Sequence, residues 1–196
     1  MATVNVIEFA VSDAVVRAEL KRAANGSGID YERTVSGEIT RRRLPLLDMI
    51  ENAMGTPIET TAGKSRGPQS AQYLARCQWQ RGHRRGPDER RPEATIEFII
   101  PGGKIGHVYF LEISLQTDLV RLGLSRDCRM SQSKASQLAG TAVLAAEKYP
   151  AIPVDYWYLC PWWPTPDTLT GLLAPMQAMR GSDNVTLTWT VLDHGP

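Results

Sequence analysis

Two β-rich runs joined by Pro101-Gly102-Gly103-Lys104 constrain this chain more than any other stretch. Residues 94–100 (Ala-Thr-Ile-Glu-Phe-Ile-Ile) and 107–115 (His-Val-Tyr-Phe-Leu-Glu-Ile-Ser-Leu) suit strands, and the segment between them carries turn chemistry, so the pair reads as a β-hairpin. Side chains two apart on a strand share a face, which groups Glu112, Ser114 and Gln116 on one side. Polar groups lined up on an otherwise apolar strand are costly unless they do something. A functional reading starts there.

At 196 residues the chain is long enough for one domain with a real core, and its 42% apolar and 22% charged content is that of an ordinary globular protein. A net charge of +1 excludes a strong global pull toward nucleic acid. The charge is local instead. Arg81, His83, Arg84, Arg85, Arg90 and Arg91 fall within eleven residues, and Arg41-Arg42-Arg43 form a second knot. Such runs bind phosphate backbones or form solvated loops, here partly neutralised by Asp88 and Glu89. Cys77, Cys128 and Cys160 show neither metal-ligand spacing nor a disulfide framework. With no basic leader and no apolar run near about 18 residues, no membrane partner is expected, and a cytoplasmic, reducing setting is.

The expected order along the chain is βα, α, loop, ββαβαβ, in one domain over 1–196. Residues 1–54 hold an N-terminal strand (3–11), a helix over 13–24 capped by Ser12, a loop over 26–37 and a helix over 38–54. Pro45 offers a later start for that second helix. Residues 55–92 read as a basic loop region in which 71–79 suits a short helix or strand. Residues 93–160 are a hairpin–helix–strand core, with a helix over 132–149 and a buried strand over 154–160. In 161–196, Thr165-Pro166 opens a helix, Pro175 predicts a kink, and 185–192 reads as a half-exposed closing strand.

A hairpin followed by a helix and a third strand, with Pro92-Glu93 before the first strand and Glu112-Ile113-Ser114 ending the second, resembles the PD-(D/E)xK nuclease superfamily, which includes Holliday-junction resolvases and restriction endonucleases. The resemblance covers roughly residues 87–160. It implies an α/β fold with a restriction-endonuclease-like αββαβ core, a mixed sheet flanked by helices. It further implies hydrolysis of phosphodiester bonds with Mg²⁺ (or Mn²⁺) held by hard oxygen ligands. Glu112 is then the second acid, and Glu93 or Glu97 the first, with Asp88 competing; Glu93 and Glu112 would hold the metal. A one-residue slip in the hairpin would send Glu93 and Glu97 to the opposite face. Arg84, Arg85, Arg90 and Arg91 would engage backbone phosphates, with DNA favoured over RNA and a homodimer implied by analogy.

The chain departs from that pattern at Ser114, where the family usually has lysine. Gln116 on the same face, Lys134 on the following helix, or Lys104 at the turn could stand in. Gln137 resembles the helix glutamine of several branches, and Asp48 or Glu51 could supply the extra acid of the N-terminal helix. Each residue also has a plainer reading. Glu112 could be a strand carboxylate paired with an arginine, and Glu93, Glu97, Lys134 and Gln137 could be solvated. The aromatic group Tyr156, Trp157, Tyr158, Trp162 and Trp163 could stack nucleobases or form core or interface. His83, His107 and His194 show no triad or metal spacing. The alternative function is a non-catalytic binding or assembly protein built on the same scaffold.

Overall fold

The computed structural model describes residues 3–58, 74–79, 93–115, 120–121, 127–129, 140–141, 144–178 and 182–193. Strand β1 (Thr3–Ala10) leads into three helices, α1 (Ala14–Ala24), α2 (Gly28–Thr40) and α3 (Leu46–Met54). Strands β2 (Leu74–Trp79), β3 (Ala94–Ile99) and β4 (Ile105–Ile113) follow as an antiparallel meander. Residues 140–141 and 144–148 are helical (α4) and precede β7 (Val154–Cys160), which pairs parallel to β4. Helix α5 (Pro166–Ala178) then leads to β9 (Val185–Asp193). The six strands lie in the order β1-β9-β7-β4-β3-β2, a mixed sheet flanked by helices. Short strands β5 (Val120–Arg121), β6 (Asp127–Arg129) and β8 (Trp163–Pro164) form a separate ladder.

Four local expectations change. Helix α1 is capped by Asp13, whose carboxylate accepts from the Val15 and Val16 amides, and not by Ser12. Both residues are good caps, and the one nearer the apolar stripe wins. The loop expected over 26–37 is mostly helix α2. Ser27 caps the Asp30 amide, while Tyr31, Val35, Glu38 and Ile39 give the buried face. The helix expected over 38–54 is split, α3 starting only after Pro45 and ending at Gly55 in the left-handed region, φ 62. The closing strand is not half-exposed. β9 lies between β1 and β7 and is buried over most of its length, because its threonines occupy a covered face. Helix α5 starts as expected, with Thr165 Oγ1 accepting from the Thr168 amide, and it runs past Pro175 to Ala178.

The hairpin turn explains the register. Pro101 and Gly102 occupy the centre of a turn closed by Gly103 N–H donating to Ile100 C=O at 3.1 Å, with Gly102 at φ 96. This is the proline-then-glycine pattern of a type II turn. The pairing shifts between Phe98 and Ile99, leaving Gly106 as the extra residue on β4, a β-bulge. From there Phe98 faces His107 and Ala94 faces Leu111.

The two faces of the sheet bury different sets. Ala94, Ile96, Phe98, Tyr109, Leu111 and Ile113 join the core under α1–α3 with Val16, Leu20, Val35 and Ile50. Val108, Phe110, Tyr156, Tyr158, Leu187 and Trp189 face the other way, where Ala145 of α4 and Tyr149 cover them.

Candidate functional site

The register that pairs Ala94 with Leu111 sets Glu93, one residue earlier, against Glu112. Directly opposed residues bring their Cβ atoms to about 5 Å. Both acids therefore sit on the face that carries Phe110 and Tyr158. Glu112 is 4% exposed and Glu93 half-buried. The ladder between β3 and β4 ends here, and Glu93 completes it with its side chain: Oε2 accepts from Ile113 N–H at 2.8 Å. On the other flank Glu112 pairs with Tyr158 of β7, which pairs with Trp189 of β9. One row across four strands thus reads Glu93, Glu112, Tyr158, Trp189. In the row behind it, Phe110 and Tyr156 meet edge to face at 6.2 Å.

Two phenols report the charge in this place. Tyr156 and Tyr158 are 1% and 0% exposed. Burial pushes both well above the ordinary tyrosine range. For Tyr156 the Glu112 and Glu93 charges add to that, against the Thr141 hydroxyl. For Tyr158 the Cys160 and Glu112 charges add, against the Ser114 hydroxyl. The neighbourhood is therefore two carboxylates ringed by neutral hydroxyls: Ser114, Thr141, Tyr156 and Tyr158. Tryptophans brace it. Trp189 meets the Tyr158 ring at 4.9 Å and donates Nε1–H to Trp162 C=O at 2.8 Å, while Trp162 Nε1–H donates to Leu115 C=O at 2.9 Å.

Of the other expected site residues, Glu97 stands apart. It lies four positions from Glu93, about 13 Å along a strand, and its Oε1 accepts from the Tyr149 hydroxyl at 2.7 Å. Lys104 is exposed at the hairpin turn, eight residues from Glu112 and so about 26 Å away, which removes it as a substitute for lysine at 114. Gln116, Lys134, Gln137, Asp88, Arg84, Arg85, Arg90 and Arg91 lie outside the described residues. The aromatic group is largely internal. Tyr156 and Tyr158 are buried, Trp157 packs against the core under α1–α3, and Trp162 and Trp163 pack on the opposite core.

The arginines of the Arg41–Arg43 knot are all paired with carboxylates of this chain. Arg41 and Arg43 both pair with Glu38, itself 1% exposed, at 2.9 and 2.6 Å. Arg43 also reaches Glu19 at 3.4 Å. Arg42, at φ 63, pairs with Asp48 and Glu51 and donates to Ile58 C=O. Asp48 and Glu51, considered as an extra catalytic acid, are thereby committed to joining α2, α3 and the segment after it.

One pair escaped the sequence reading. His107 Nε2 lies 2.6 Å from Asp155 Oδ2, and the imidazole stacks on Tyr109 at 4.8 Å. These residues lie on the face opposite Glu112, where burial first, then Asp155, pushes the Tyr109 phenol up to about 12. The two partners are 48 residues apart, and only the parallel pairing of β4 with β7 joins them.

Among the described residues, no group of three or more His, Cys, Asp and Glu side chains is placed to hold a metal ion, and no helix is long and apolar enough to cross a membrane. Compared with protein-family models, curated proteins and solved structures, the chain matches none.

Proposed function

We propose that the protein is a divalent-metal-dependent nuclease hydrolysing phosphodiester bonds, of DNA before RNA, on a restriction-endonuclease-like αββαβ core. The observation that carries this reading is the opposition of Glu93, immediately before β3, and Glu112, near the end of β4, on one face of the hairpin. The element order supports it: a helix, the β2–β3–β4 meander, a helix, and a strand parallel to β4. Two carboxylates give an all-oxygen donor set suited to Mg²⁺ or Mn²⁺, which keep several waters and need only one or two protein carboxylates. Such an ion would polarise the phosphate and make a bound water acidic. In this reading Glu93 and Glu112 bind it, the Ile113 amide orients Glu93, and Tyr156, Tyr158 and Phe110 keep bulk water from the back of the site. Gln116 and Lys134 remain proposed as the groups that handle the attacking water, and Arg84, Arg85, Arg90 and Arg91 as phosphate contacts. Action on two strands as a homodimer and a cytoplasmic setting belong to the same proposal.

A specific observation favours a second reading, a non-catalytic binding or assembly protein. Glu93 already completes the strand ladder, and Ser114 carries no charge. The two readings separate in one assay on single-stranded, duplex and branched substrates with Mg²⁺ or Mn²⁺. Cleavage by the wild type that is lost in Glu112→Ala supports the nuclease. If both proteins are equally inert, the scaffold reading replaces it.

A further inference from the structure

We propose that the outer edge of β1 is a self-pairing surface, on which a second copy of this chain adds its own β1 antiparallel to form one sheet across a two-fold axis. The inference stands apart from the metal reading and names a surface for the homodimer.

β1 is at one end of the strand order, and among the described residues its outer side meets no strand. Its inner side is fully occupied: Thr3 to Ala10 pair one for one with Thr186 to Asp193, without a bulge. A strand of 8 residues therefore turns a regular row of amide and carbonyl groups outward. Proteins blunt such edges with proline, lysine, a bulge or a very short strand. β1 (Thr-Val-Asn-Val-Ile-Glu-Phe-Ala) uses none of these, whereas β2 at the opposite end is shorter, at 6 residues, and has an arginine in its sequence. The side chains fit the same reading. Val4, Val6, Ile7 and Phe9 are only half-buried, Val4 and Val6 against the core that α4 covers and Phe9 against the core under α1–α3. A strand added here extends both cores at once.

Charge and geometry select the occupant and its register. With one charge along the strand, Glu8, the edge offers little to a charged foreign strand, while an identical strand meets it with the same apolar set on each face. A two-fold axis normal to the sheet makes the contact isologous, the commonest closed arrangement of like chains. It sets odd residues against odd and even against even, because opposed residues share a face. Two registers then pair nearly the whole strand, centred on Val6 or on Ile7. Centred on Ile7, the two Glu8 carboxylates lie diagonally at about 7–8 Å, a like-charge pair. Centred on Val6, they stand about 14 Å apart along the strands, beyond the roughly 8 Å screening length of physiological salt. The Val6 register is therefore the one that forms. It sets Val6 against Val6, Asn5 against Ile7, Val4 against Glu8 and Thr3 against Phe9.

Sedimentation velocity of the full chain over a concentration series, with diamide oxidation of cysteine variants, tests the idea. The proteins are wild type, Asn5→Lys, Val6→Cys and Val4→Cys, each checked for folding by circular dichroism. Wild type should dimerise. Asn5→Lys changes a side chain exposed in the single chain and should raise the dimer dissociation constant about tenfold. In the Val6 register the two Cα atoms at position 6 lie about 4.5–5.5 Å apart, within disulfide reach, and those at position 4 about 14 Å apart. Val6→Cys should therefore cross-link into dimers, and Val4→Cys should behave as wild type, which controls for the native cysteines. Wild type that stays monomeric throughout overturns the proposal and leaves the edge to a strand of another protein. A dimer unmoved by Asn5→Lys overturns it too, as does Val4→Cys cross-linking as readily as Val6→Cys. If Val6→Cys does not fold, Asn5→Lys against wild type decides alone.

Discussion

Replacing Arg42 separates what its side chain does from what its backbone endures. The residue sits at φ 63, a conformation that costs a side-chain-bearing residue about 1–2 kcal/mol and costs glycine nothing comparable. Its guanidinium is 33% exposed and pairs with Asp48 and Glu51, 45% and 19% exposed, while also donating to Ile58 C=O. The Asp48 pair is open to water and is worth no more than about 0.5 kcal/mol. The more enclosed Glu51 pair and the Ile58 bond together contribute about 2 kcal/mol. Arg42→Ala loses these and keeps the strain, so it should cost about 2–3 kcal/mol. Arg42→Gly loses the same contacts but relieves the strain, less about 0.5–1 kcal/mol for the freer unfolded chain. It should therefore be more stable than Arg42→Ala by about 0.5–1 kcal/mol. Urea unfolding at equilibrium measures both, and amide exchange at Ile58, whose N–H donates to Glu51, should speed up in each variant. Arg42→Ala within about 0.5 kcal/mol of wild type, or Arg42→Gly below Arg42→Ala, would refute the account.

Glu38→Gln should destabilise by about 1–3 kcal/mol in the same urea assay, since it removes the charge from two charge-assisted bonds to arginines that are 65% and 35% exposed and partly regain hydration. An unchanged midpoint would mean that the two Glu38 pairs contribute nothing to stability. Tyr149→Phe should cost about 1 kcal/mol through the lost bond to Glu97 and leave any metal-dependent cleavage intact; loss of cleavage in a folded variant would return Glu97 to the site. In alkali, Tyr31, Tyr109, Tyr156 and Tyr158 all have folded-state values above the unfolded value of about 10. The folded state then binds more protons than the unfolded one. The stability they contribute is full below pH about 10 and falls as pH rises beyond it, through about 12 for Tyr109. Phenolate absorbance from these four of the six tyrosines should accordingly rise in one cooperative step with unfolding; smooth titration of more than two phenols in the native protein over pH 9–11 would contradict the burial of these hydroxyls.

Much of the fold was legible because its strongest signals are local. The proline–glycine turn at 101–103, the run 154–160 and the Thr165 cap each act within a few residues, and each predicted its element. Helix α2 was hidden because Gly28, Asp30, Ser36 and Gly37 lie within it and read as a loop, and Glu38 on its buried face reads as solvent-facing until Arg41 and Arg43 are seen beside it. The same blindness hid the purpose of the arginine knot, since opposite charges brought together by a turn leave no spacing rule. In the candidate site, the alternation of strand residues left Glu93, Glu97 and Asp88 open as the partner of Glu112, and only the hairpin register sets Glu93 opposite it. Alternation could not reveal Tyr156 or Tyr158, whose place beside the acids depends on which strand lies next to β4. His107 and Asp155 were invisible for that reason too.

The position of β9 sets a timetable for the folding of this chain. It is made last among the described strands, yet it separates β7 from β1, and its first partner, Thr3 opposite Thr186, lies 183 residues upstream. Until residues 185–193 leave the ribosome, β1 has no neighbour among the described strands and one side of β7 lacks its described partner. Pairings this distant are slow to close, and open strand edges invite association with other chains. The hairpin with its acids can form early, but Trp189, which packs on the Tyr158 ring, arrives with the final strand. The site is therefore completed only when the sheet is.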